Sequence, residues 1–147
     1  MITDKLRISL SNHIEASLIV KGYHWNIEGL DFQQFHNLFD EIYEDYYEQI
    51  DTLAEYIRAI SDTNDYVNGS VEIVALNKTR VSHPLVGDKA ELMVGQIIII
   101  NNALINDFME LMKEPPSSKV YGLQNYAQDR LNALTKLNWK LLAITKQ

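Results

Sequence analysis

The chain has 147 residues, of which 46% are hydrophobic and 22% charged, values that suit a single packed domain covering residues 1–147 and exclude a disordered or collagen-like polypeptide. Thirteen Lys and Arg stand against twenty Asp and Glu, a formal charge of -7 without any basic run, so no nucleic-acid surface is advertised. The absence of cysteine removes disulfides, thiolate metal sites and thiol nucleophiles at once, and leaves imidazole and carboxylate oxygen as the available metal donors.

The first element is an amphipathic helix from Asp4 to about Glu28, with Leu6, Leu10, Ile14, Leu18 and Trp25 recurring at helical spacings. Glu28-Gly29-Leu30 interrupts it, and Asp31 is the expected N-cap of a second helix through Phe35, Leu38, Phe39, Ile42, Ile50, Leu53, Ala54 and Ile57, ending near Ser61. A long connection follows, and its apolar residues 71–76 are read as a short helix or extended piece. His83-Pro84 is the expected start of a third helix that runs through the Ile97 to Ile100 stretch to about Lys113, despite the β-branched character of that stretch. Pro115-Pro116 ends it, and Leu123 to Ile144 forms the fourth helix, with Leu131, Leu134, Leu137, Leu141 and Leu142 at helical spacings. The fold class is all-α, a four-helix bundle with a short helix in the long connection between helices 2 and 3. The longest aliphatic run, Ile97 to Ile100, is far shorter than the roughly 20 residues of a membrane span, and residues 1–5 carry no secretion signal, so the protein is expected to be soluble and cytoplasmic.

The chemistry gathers on the second helix. At about 100° per residue, His36, Asp40, Glu44, Glu48, Asp51 and Glu55 fall within about 120° of one another around the axis. Such a stripe is ordinarily a solvated acidic face. His36 with Asp40 and Asp51 with Glu55 are, however, i,i+4 pairs, each able to supply half of a metal coordination shell. The two halves lie about 22 Å apart along the helix, too far to hold one ion. Two copies of the helix packed antiparallel about a dyad near residues 45 and 46 would set each half against its complement and create two equivalent sites. A site enclosed in one bundle is expected to show Glu-x-x-His on two helices. Here Leu10, Lys21, Gln33 and Arg80 stand three residues before His13, His24, His36 and His83. His13 reads as a structural histidine and His83 as a helix-start residue.

The segments Lys21-Gly22-Tyr23-His24-Trp25-Asn26-Ile27-Glu28-Gly29-Leu30-Asp31-Phe32, Phe35-His36, Phe39-Asp40-Glu41 and Ile50-Asp51-Thr52-Leu53-Ala54-Glu55, with Asn138-Trp139-Lys140-Leu141 near the end, resemble the Dps mini-ferritins of the ferritin-like superfamily. The resemblance spans essentially the whole chain. It implies a ferritin-like subunit of a hollow dodecamer that oxidises Fe(II), usually with hydrogen peroxide, and stores ferric mineral, limiting oxidative damage. The implied ligands, which are also the catalytic residues, are His24, His36 and Asp40 of one subunit with Asp51 and Glu55 of its two-fold mate. Imidazole and carboxylate donors accept both Fe(II) and the harder Fe(III), with Zn(II) a possible substitute. Trp25 is a candidate electron donor, with Tyr23 and Tyr43 nearby, and Glu41, Glu44 and Glu48 are candidates for mineral nucleation. A non-catalytic divalent-metal-binding shell of the same fold is the alternative, and a helical scaffold the bland one.

The sequence departs from the resemblance at two places. Relatives carry acidic residues before the last helix that line three-fold pores, whereas residues 117–125 here contain no carboxylate and one lysine, Lys119. DNA-binding relatives use basic tails; with only Lys5, Arg7 and Lys146 near the ends, DNA binding is expected to be weak or absent.

Overall fold

A computed structural model describes residues 1–61, 64, 66–68 and 89–146. Four helices make up the described chain: α1 (Ile2–Asn26), α2 (Phe32–Ile60), α3 (Ala90–Leu111) and α4 (Ser118–Thr145). The segment 71–76 and the His83-Pro84 helix start lie outside the described residues.

Each helix buries residues three or four positions apart. The stripes are Leu6, Leu10, His13, Val20 and Tyr23 on α1; Phe39, Ile42, Tyr46, Leu53 and Ile57 on α2; Met93, Ile97, Ile100, Leu104 and Phe108 on α3; and Leu123, Ala127, Leu134 and Leu141 on α4. α1 packs along α2 and α3 along α4, α1 also contacts α3, and α2 meets α4 only lightly.

The β-branched run is helical. Ile97 and Ile100 are fully buried whereas Ile99 is 53% exposed, a three-residue repeat that a strand cannot produce. α3 is also long and apolar enough to cross a membrane, with a mean hydropathy of 1.4 in its most apolar window, but its buried stripe packs as a core element of the bundle. Its end comes at Leu111, short of Lys113, and α4 begins at Ser118, five residues before the expected Leu123. Gly122 does not delay α4: extended Ser117 precedes the helix, and its carbonyl accepts from the amides of Val120 and Tyr121. Leu18 and Trp25 leave the expected α1 stripe, being 62% and 67% exposed. They lie about 100° or more around the helix from Leu6, on a second apolar ridge that the single chain leaves uncovered.

The middle of the bundle is polar. The Tyr46 hydroxyl donates to Asn101 Oδ1 (2.8 Å), while Asn101 Nδ2 donates to the Leu134 carbonyl (2.9 Å) and to Asn138 Oδ1 (2.8 Å), tying α2, α3 and α4 together. Arg130 grips Asp45 with both terminal nitrogens (3.1 and 2.6 Å), and the Tyr126 hydroxyl donates to Gln49 Oε1 (2.7 Å). His13, wholly buried, donates Nδ1–H to the Ser9 carbonyl (2.7 Å) and meets the rings of Tyr46 and Phe108 edge-on. Its structural reading therefore matches its environment.

A buried and a half-buried group couple this packing to pH in opposite senses. Burial lowers the His13 pKa from 6.5 to about 4, so its contribution to stability is whole above 6.5 and is lost as pH falls toward 4. Burial raises the Asp107 pKa from 3.8 to about 6, against the hydrogen bond it accepts from Asn12 (2.7 Å). That contribution is whole below 3.8 and lost as pH rises through 6. Asp107→Asn, which can keep the bond to Asn12, is expected to stabilise the protein at pH 7 by up to about 3 kcal/mol, an advantage that vanishes near pH 4. Urea denaturation across this range checks it; parallel profiles for the two proteins would contradict it.

Candidate metal centre

The link between α1 and α2 brings two histidines into register. Asn26 Nδ2 donates back to the Gly22 carbonyl (2.7 Å) in the last turn of α1, and the chain then reverses through Gly29, whose φ of 110° favours a residue without a side chain. The Phe35 amide donates to the Asp31 carbonyl (3.1 Å), and α2 proceeds from Phe32. His24 in the last turn of α1 thereby faces His36 in the second turn of α2.

The two side chains clasp each other's backbone. His24 Nδ1 bonds the His36 carbonyl at 2.6 Å, and His36 Nδ1 bonds the His24 carbonyl at 2.7 Å. A carbonyl oxygen only accepts, so each Nδ1 carries its hydrogen and Nε2 is the ring nitrogen left outside the backbone bond. The rings stack with centroids 3.7 Å apart and planes 17° from parallel, and Phe32 stacks on His36 at 4.7 Å. Backbone bonds through one nitrogen, with the other left available, are how metal-ligating imidazoles are oriented.

Asp40 lies one turn beyond His36 on α2. Its Oδ1 lies 3.9 Å from His24 Nε2, beyond hydrogen-bond reach and about twice an ordinary 2.0–2.2 Å metal–ligand distance. The Lys21 ammonium donates to the same oxygen at 3.1 Å and sits 4.3 Å from the centre of the Tyr43 ring. The Lys21 hydrogen bond is the chief cause holding the Asp40 carboxyl below its usual pKa; desolvation, next in size, opposes it, and the charges of Lys21, His24 and His36 add to the lowering.

Of the five expected ligands, the structure stacks His24 on His36 and sets Asp40 3.9 Å from His24. Asp51 and Glu55 are exposed farther along α2, and among the described residues no three His, Asp or Glu side chains close around one point within the chain. Glu41, Glu44 and Glu48 are exposed as well. Trp25 is largely exposed, whereas Tyr23 is turned into the core beside Phe39 and its hydroxyl pKa is raised by burial. Sequence reasoning overlooks two participants, Lys21 and Phe32. Lys21 enters only as the first residue of the Dps-like segment and as the residue that is not glutamate three positions before His24, although that same i,i+3 spacing is the signal that its ammonium shares the histidine's face.

Residues 3–147 match the family model described as the ferritin-like domain, and the chain belongs to that family. Within it the chain groups with the Dps proteins. It is 28% identical over 141 residues to the DNA protection during starvation protein of Helicobacter pylori, covering 89% of this chain and 92% of that one. It is 24% identical over 142 residues to an uncharacterized protein of Haemophilus influenzae, covering 97% and 86%. The X-ray structure of Dps from Listeria monocytogenes superposes with a TM-score of 0.85 at 16% identity, over 97% of this chain and 92% of that one, and shares its fold.

Lys21→Met is expected to raise the Asp40 pKa toward the ordinary aspartate value by removing its principal hydrogen bond. Carboxyl-carbon NMR titration of the metal-free protein reads this; an unmoved Asp40 would show that Lys21 does not hold the carboxylate.

Proposed function

We propose that this protein is a ferroxidase and iron-storage mini-ferritin that oxidises Fe(II) with hydrogen peroxide and retains ferric mineral inside a closed homo-oligomer. The observation that carries the reading is the His24–His36 clasp beside Asp40, because it fixes both imidazoles through Nδ1 and leaves Nε2 of His24 3.9 Å from a carboxylate oxygen. Asp51 and Glu55 of a two-fold mate supply the missing donors, which makes the dimer the smallest functional unit and a dodecamer the expected shell. The uncovered Leu18 and Trp25 on α1 and the 57% exposed Tyr47 on α2 support an assembly that covers this side of the subunit.

Fe(II) enters as substrate and takes the position between the imidazoles and the carboxylates, displacing Lys21 from Asp40. The mixed donor set holds Fe(II), and its carboxylates favour the harder Fe(III) formed on oxidation. Two Fe(II) reduce one H2O2, with two protons taken up and two waters formed. Ferric ions then pass to the acidic residues Glu41, Glu44 and Glu48, where mineral growth begins. Because residues 117–125 offer no carboxylate, iron reaches the interior by a route other than an acidic pore at that segment. Cytoplasmic location and at most weak DNA binding complete the reading.

The test is anaerobic addition of Fe(II) to the metal-free protein followed by a peroxide pulse. Ferric absorbance that develops faster than in the protein-free control and co-elutes with the protein is expected, with Asp51→Asn and Glu55→Gln slowing it by about tenfold or more, the loss of roughly 1.4 kcal/mol of transition-state stabilisation. Saturable Fe(II) or Zn(II) binding without accelerated oxidation would overturn the ferroxidase reading in favour of a non-catalytic metal-binding shell.

A further inference from the structure

Peroxide reduction takes two electrons, and one Fe(II) supplies one. A site that holds a single Fe(II) when peroxide arrives releases a hydroxyl radical unless a second reductant is in reach. Resting on the ferroxidase reading above, the question is which group of this chain stands closest to that task.

Two tyrosines occupy the face of α2 that carries the ligands. On the scale that sets His36 at 0° and Asp40 at about 40°, Tyr43 and Tyr47 fall at about -20° and 20°, on the length of helix between the two half-sites. Their rings are stacked, with centroids 5.6 Å apart and planes 25° from parallel. The Lys21 ammonium that bonds Asp40 also lies over the Tyr43 ring, so one cation touches both a ligand carboxylate and the first ring of the pair. Tyr46 is buried with its hydroxyl on Asn101 and Tyr126 is bonded to Gln49, while the exposed Tyr66 and Tyr121 lie outside α2. Tyr47 instead is 57% exposed within the chain. A dyad near residues 45 and 46 gathers both copies of the pair between the two metal sites.

We infer that Tyr43 and Tyr47 form a redox-active pair that supplies the second electron when hydrogen peroxide meets a site holding one Fe(II). The O–O bond breaks; Fe(II) gives one electron and one oxygen leaves as hydroxide, while the other oxygen takes the electron and proton of a tyrosine O–H and becomes water. The balance is Fe(II) + H2O2 + TyrOH giving Fe(III) + OH⁻ + H2O + a neutral tyrosyl radical. A later Fe(II), with one proton, restores the tyrosine and becomes Fe(III). Because a cation over an aromatic face disfavours withdrawal of electrons from that ring, the radical settles on Tyr47, the ring farther from Lys21.

The experiment loads the assembled metal-free protein anaerobically with one Fe(II) per site, adds one equivalent of H2O2, and follows three signals: ferric absorbance, the freeze-quenched electron paramagnetic resonance spectrum, and hydroxyl-radical spin adducts. A tyrosyl signal is expected in the wild type, absent from Tyr47→Phe and from the Tyr43→Phe/Tyr47→Phe double variant, with spin adducts rising several-fold in the double variant. Phenylalanine keeps both rings, and circular dichroism with size-exclusion chromatography verifies the fold and assembly of each variant. Normal ferric formation in the wild type without a tyrosyl signal, or a signal that persists in the double variant, would overturn the inference and leave the ferroxidase reading intact. No accelerated ferric formation in the wild type would overturn the ferroxidase reading itself, and this inference with it.

Discussion

The rotation of α2 about its own axis is the constraint on which the candidate site depends. Asp45, Tyr46 and Gln49 are tied to α3 and α4 by bonds to Arg130, Asn101 and Tyr126, and these residues lie on the side of the helix opposite the acidic stripe. Pinning that side turns His36, Asp40, Asp51 and Glu55 away from the bundle's interior. At the N-terminal end, the reciprocal histidine clasp then sets the distance between α1 and α2 beside Asp40. A buried polar centre is costly unless satisfied, and here its partners fix the register of the helix that carries the chemistry.

The same geometry underlies the proposal that the site is shared between chains. A straight helix keeps two i,i+4 pairs about 22 Å apart however well it packs, so Asp51 and Glu55 cannot fold back onto His24 and His36. In the absence of metal, Lys21 neutralises Asp40, and the isolated half-site carries its own exchangeable counter-cation. Under the proposed shared site, the donors of one chain are completed only when another copy of α2 approaches.

Much of this was legible in the sequence, for identifiable reasons. Helical spacing located all four helices and the stripe from His36 to Glu55, because a periodicity of 3.6 survives any tertiary arrangement. Helix ends were less legible: α4 starts at Ser118 because the Ser117 carbonyl closes its first turn, a backbone event that the presence of Gly122 obscures. Leu18 and Trp25 look like core residues by hydrophobicity alone, but the core stripe drifts around α1 and leaves them outside. The pairing of His24 with His36 depends on the turn through Gly29, so helix arithmetic on α2 alone could not find His24; the Dps resemblance did. The role of Lys21 is not legible from ligand chemistry, because a cation donates to Asp40 rather than binding metal, although its i,i+3 spacing from His24 places it on the same face.

The central claim is that each metal site draws ligands from two chains, and complementation between defective subunits tests it most directly. One variant carries His36→Ala with Asp40→Ala, the other Asp51→Asn with Glu55→Gln; each alone is expected to be inactive. Unfolding and reassembling an equal mixture makes half of the dimers mixed, each with one intact site and one doubly defective site, so peroxide-dependent iron oxidation is expected to return to about a quarter of the wild-type rate per subunit. Reassembled mixtures that contain mixed dimers but recover no activity would contradict a shared site and return the chemistry to ligands within a single chain.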